Sequence, residues 1–132
     1  MEAAGGDVEL TMDELRAVAA FAAHRAAKSV SAETAQLAAL ACGDAAAAAY
    51  LHPIANATQV GHILRAAACA ALVAELKAPG DERVATQVVS TLAERAASPV
   101  PDVLRRYPPA PPGSSRLSQL MTALDKAIRD RD

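Results

Sequence analysis

Asp44, His62 and Arg65 are the side chains in this chain whose types and spacing could do chemistry. Asp44 stands four residues after Leu40 and seven before Leu51, so in a helix its carboxylate falls on the leucine stripe. A carboxylate buried alone costs on the order of several kcal/mol, so it must be paired, be protonated, or reach water at a groove. Alanine on all sides leaves the helix phase open, and the plainer expectation is that Asp44 points outward. His62 and Arg65 lie in the next helix, turned away from Val60, Ile63 and Leu64. If the two helices pair as an antiparallel hairpin, either cation can meet Asp44, satisfy the acid and give the bundle a polar pocket. A carboxylate can hold the tautomer of an imidazole that acts as acid or base, and a guanidinium can receive an anionic group. The plainer expectation for His62 is a satisfied core histidine with no chemistry.

His52, at the His52-Pro53 corner, is a second candidate acid or base. His24 is expected on the wet side of the first helix, a rim residue with ligand binding as its alternative role. His52 and His62 are ten residues apart across a helix break, which does not set two imidazoles on one helical face, and Cys42 and Cys69 lack paired spacing. No metal site and no cofactor are expected. A phosphate-cradling glycine loop, a nucleophile elbow and an HExxH motif are all missing from the sequence.

The elements that must position these groups are helices. Thirty-five of the 132 residues are Ala, aromatics are limited to Phe21, Tyr50 and Tyr107, and β-branched runs are few. Intrinsic preference is therefore helical and poor for a sheet. The expected fold is all-α: one domain of five to six helices around a central apolar helix over residues 57–78, capped by Asn56 and closed by Pro79-Gly80. Residues 1–10 read as a loose lead-in and residues 11–107 as the bundle core. Thr11 to Glu14 form a capping box for a first helix whose inner face is Leu15, Val18, Ala19, Ala22 and Ala26, with Phe21 at its edge. Ser31 caps the second helix. Asp81 caps the fourth, with Val84, Ala85, Val88, Leu92 and Ala96 inward. Residues 108–113 read as a stiff Pro-rich connector, with a ligand for a recognition domain as its other reading. Residues 114–132 form an amphipathic helix with Leu117, Leu120, Met121, Leu124 and Ile128 inward and Asp125/Arg129 outside. That helix closes its own bundle or, given the connector's length, covers a neighbouring subunit.

Net charge is −2 with both signs interspersed, the wrong footprint for nucleic acid. The apolar run 66–74 is far short of the roughly 20 residues that span a bilayer, so no membrane helix is expected. The first ten residues lack a basic region and an apolar stretch, which points to the cytoplasm.

Three segments, DELRAVAAFAAHRAA, GHILRAAACAALVAEL and the later LRRYPP, together resemble an Ala-rich, all-helical bacterial family of immunity proteins from polymorphic-toxin systems. The likeness spans residues 12–108. In the family's Ala-His-x-x-x-His step into the central helix, His62 takes the second histidine and Thr58 stands at the first. The resemblance implies a small cytoplasmic helical protein that protects its host by binding a partner, and it carries over to His62 and His24 alone. The leading expectation is thus a self-protection protein, not an enzyme, that binds a partner protein or a toxic small molecule. One alternative is a helical accessory enzyme or ligand-binding protein of a specialised metabolic pathway, using His62, Asp44 or His52 in an inter-helix pocket with Arg65 holding an anion. Another is a non-catalytic subunit that docks on a partner enzyme, or on a second copy, through the C-terminal helix.

Overall fold

The computed structural model describes residues 11, 14, 17–29, 32–48 and 56–131, and among these every element is helical, with no strand. A π-helical turn, Ala17–Phe21, runs into α1, Ala22–Ser29. It is followed by α2 (Glu33–Ala48), α3 (Ala57–Lys77), α4 (Arg83–Arg95), α5 (Val100–Arg105) and α6 (Arg116–Arg129).

The centre is α3, as its composition requires. Asn56, in extended conformation, accepts the Thr58 N–H at 3.1 Å, and Gly80, just beyond the far end, takes the left-handed φ of 84° that glycine adopts without steric cost. Between these ends Val60, Leu64, Ala68, Cys69 and Ala71 are each at most 2% exposed. A helix apolar on most sides has to be covered on most sides, and α3 packs against α2, α4 and α6. By length and composition the whole helix could cross a bilayer, which the shorter run 66–74 did not suggest; here 39% of its most apolar window is buried inside the bundle.

Around it the amphipathic helices turn their apolar stripes inward. Buried Ala85, Val89 and Ala93 form the seam of α4, flanked by half-buried Val88, Leu92 and Ala96, while Glu82, Gln87, Ser90 and Glu94 are exposed. Asp81 starts that helix by accepting the Arg83 N–H at 3.1 Å. Leu104 anchors α5. On α6, Leu120, Met121, Leu124 and Ile128 are buried, and the helix docks on α3, α4 and α5 of its own chain. Ser115 caps it by accepting the Ser118 N–H at 3.1 Å.

Two expectations fail in instructive ways. Thr11 and Glu14 do form the capping box: the Glu14 N–H donates to Thr11 Oγ1 at 3.2 Å and the Thr11 N–H to Glu14 Oε2 at 2.7 Å. The face that follows is nevertheless reversed. Val18 and Phe21 are each 60% exposed, Ala19, Ala22 and Ala26 are exposed, and the residues turned inward are Ala20, Ala23, His24 and Ala27; Leu15 lies outside the described residues. A π turn inserts an extra residue into the helical repeat, so the phase read from Val18 no longer applies beyond it.

The second failure is the connector. Asp125, expected outside, is 4% exposed: Oδ2 accepts the Ala110 N–H at 3.0 Å and Oδ1 accepts Arg129 Nε at 2.7 Å. The other Arg129 nitrogens donate to the carbonyls of Tyr107 at 2.9 Å and Pro108 at 3.1 Å. Within residues 108–112 only Ala110 owns a backbone N–H. A proline run has carbonyls but no ladder to give them, and the five-donor fork of an arginine supplies the partners. The segment is therefore a strap tied to α6 instead of a free spacer. Arg105 donates to the carbonyls of Arg129, at 3.2 Å, and Arg131, and Arg131 donates to those of Ala93 and Ala96 at the end of α4. These cations satisfy helix-terminal carbonyls where the dipole is negative.

Candidate functional site

Leu37, Ala41 and Asp44 recur on the side of α2 that faces α3, at the spacing that keeps residues on one helical face. The outward reading of Asp44 is overturned: its side chain is fully buried. The compensation comes from α3. His62 Nδ1 lies 3.2 Å from Asp44 Oδ1, and Arg65 NH1 lies 3.1 Å from Oδ1 and 3.3 Å from Oδ2. An ionised carboxylate only accepts, so the proton of His62 in this contact belongs on Nδ1, with Nε2 turned the other way. The side chains of His62 and Arg65 remain 25% and 32% exposed. One buried acid thus holds two donors whose outer edges reach solvent.

Two glycines inside helices make this geometry possible. A methyl group at Gly61 would stand 2.7 Å from Arg65 NH2, so the guanidinium lies back against its own helix on the way to Asp44. A methyl at Gly43 would stand 2.8 Å from both Cε1 and Nε2 of His24. His24 is accordingly no solvated rim residue: it is half-buried with its ring on the α2 backbone, one residue before Asp44 in sequence. Among the described residues it makes no hydrogen bond to Asp44. Neither glycine belongs to a motif that marks the site, although a helix-interior glycine costs about 0.5–1 kcal/mol relative to Ala and so signals a close approach.

Cys69, one turn beyond Arg65, is 1% exposed. Burial, helped by the negative charge of Asp44 and opposed by Arg65, pushes its thiol up to about 11. It stays protonated at neutral pH and is no nucleophile there. Cys42 is exposed. His52 lies outside the described residues, and no group of three or more metal-ligating side chains occurs among those described.

Beside the polar cluster runs an open apolar cleft of about 250 Å³, walled by Leu37 and Ala41 of α2 and by Ala66, Cys69, Ala70 and Val73 of α3. The structure therefore joins Asp44, His62 and Arg65 in one contact network, sets His24 on the far flank of α2, and opens a small apolar trough along the same helix pair. No protein-family model matches the chain, nor does any characterised protein or solved structure.

Proposed function

We propose that this chain is a non-catalytic binding protein of the self-protection type that its resemblance implies, and that Arg65, with His62 beside it, grips an anionic group on a partner protein or a toxic small molecule. The observation that carries this reading is the burial of Asp44 beneath two half-exposed donors. Its oxygens are occupied, so it serves as an anchor that orients the donors before a ligand arrives, and pre-orientation lowers the entropy lost on binding. Arg65 spends NH1 on Asp44 and keeps the rest of its fork for a planar anion.

A second reading, a small enzyme with His62 as general base, draws support from the same contact, because Asp44 on Nδ1 leaves Nε2 to take a proton. The neighbouring thiol does not supply it with a nucleophile at neutral pH.

Capture of the tagged protein from its native host, followed by mass spectrometry, tests the first reading. Wild type should hold a stoichiometric partner that Arg65→Ala and His62→Ala, checked as folded by circular dichroism, release. Recovery of the bare chain alone, or a partner indifferent to both substitutions, overturns it.

A further inference from the structure

We infer that the α2–α3 cleft and the His62/Arg65 edge form one ligand site for a small amphipathic acid, a carboxylate head carrying a short alkyl chain. This rests on the reading of His62 and Arg65 as recognition groups and adds the cleft, which that reading leaves unused. The two parts are continuous along the helix pair. Arg65 and Cys69 are one helical turn apart on α3, as are Ala41 and Asp44 on α2, so the trough begins where the polar cluster ends. The Cys69 thiol, part of the cleft wall, registers the charges of both Asp44 and Arg65.

The chemistry of each end selects the ligand. None of the side chains lining the cleft is charged or hydroxyl-bearing, so the part of a ligand that enters it must be apolar. The volume of about 250 Å³ has room for a short alkyl chain. At the mouth, one guanidinium with part of its fork already committed to Asp44 matches a single planar carboxylate.

Isothermal titration of the full chain with the straight-chain acids from butanoate to octanoate tests this. Affinity should rise about fourfold with each added methylene until the cleft is full, and then level off. Octan-1-ol should bind at least about tenfold more weakly than octanoate, since it cannot make the charge-assisted hydrogen bond. Arg65→Gln should bring octanoate down to the level of the alcohol while keeping the chain-length slope. Ala70→Phe, at an exposed position on the cleft wall, should flatten the slope, and Ala38→Phe, at an exposed position that lines the α2 wall of the same cleft, gives an independent check should the first variant misfold. Absence of binding across the series, equal binding of acid and alcohol, or dimerisation of the chain through the cleft overturns the inference. Partner capture that is lost in Arg65→Ala but unchanged in Ala70→Phe would leave the broader reading standing and remove this one.

Discussion

Because Asp44 is fully buried while Arg65 keeps a third of its side chain in water, removing one partner of the pair should not cost the same as removing the other. Arg65→Met leaves a carboxylate in the core with His62 as its remaining neighbour. Breaking a buried pair in this way costs about 3–5 kcal/mol, and the retained His62 contact places the expected loss at the lower end, about 3 kcal/mol. Asp44→Leu removes the buried charge itself, and the two cations it abandons can turn to solvent, so the expected loss is about 1 kcal/mol, mostly from a changed shape. The double variant, in which apolar side chains replace both members, should fall near the milder single change, because replacing a buried pair outright is often close to neutral. Urea unfolding by circular dichroism reads all three. With a slope of about 1–3 kcal/mol per molar urea for a domain of this size, Arg65→Met should lower the midpoint by roughly 1–3 M. An Arg65→Met loss below about 0.5 kcal/mol, the range of an ordinary surface change, would refute the reasoning. So would a larger loss from Asp44→Leu than from Arg65→Met.

Other outcomes follow from groups elsewhere in the bundle. At pH 8 a thiol reagent should titrate exposed Cys42 in the native protein and reach Cys69 only after denaturant is added; two thiols reacting at one rate would contradict the burial that holds Cys69 at about 11. Glu75 receives Arg116 at 2.7 Å and 2.9 Å, which ties the end of α3 to the start of α6 and holds its carboxyl below its ordinary 4.5. A depressed carboxyl contributes stability that is present above its unfolded value and lost as pH falls through its folded one. Both partners are partly exposed, so Glu75→Gln should cost no more than about 1 kcal/mol at pH 7, and its urea midpoint should converge on wild type as pH falls through that depressed value. Asp125→Ala should cost about 2–3 kcal/mol by freeing the Ala110 N–H and Arg129 together, with hydrogen exchange at Ala110 rising to the rate of an open loop. Protection at Ala110 that survives the substitution would show that the strap is held by something other than this carboxylate.

What the sequence made legible was whatever followed from side-chain type at fixed helical spacing. The central place of α3 follows from apolar residues on most of its sides, and the inward faces of α4 and α6 from stripes of Leu, Val and Ile. The possible meeting of Asp44 with His62 and Arg65 followed from the same arithmetic, once an antiparallel hairpin was assumed. The errors came where spacing alone is silent. The π turn at Ala17–Phe21 shifts the phase of the α1 helix it runs into, and no residue type announces one. Along α2, alanine is small enough to face either water or another helix, so the stripe could not decide which way Asp44 points; the decision came from the neighbours, since the α3 side offers two donors to the carboxylate. Asp125 and Arg129 looked like a surface i,i+4 pair because the proline strap that covers them has no periodicity to reveal where it lies. In both acids the carboxylate is buried because backbone or side-chain donors converge on it from a second element, which is a property of packing and not of either segment alone. The two differ in what surrounds them. Asp125 takes an N–H of the strap and an arginine whose remaining nitrogens are spent on strap carbonyls, so its hydrogen bonding is consumed by the fold. Asp44 holds its donors by their inner edges only and leaves part of each in solvent, with Arg65 one helical turn from the cleft-wall residue Cys69, and that asymmetry is the physical reason to look for a ligand at one acid and not at the other.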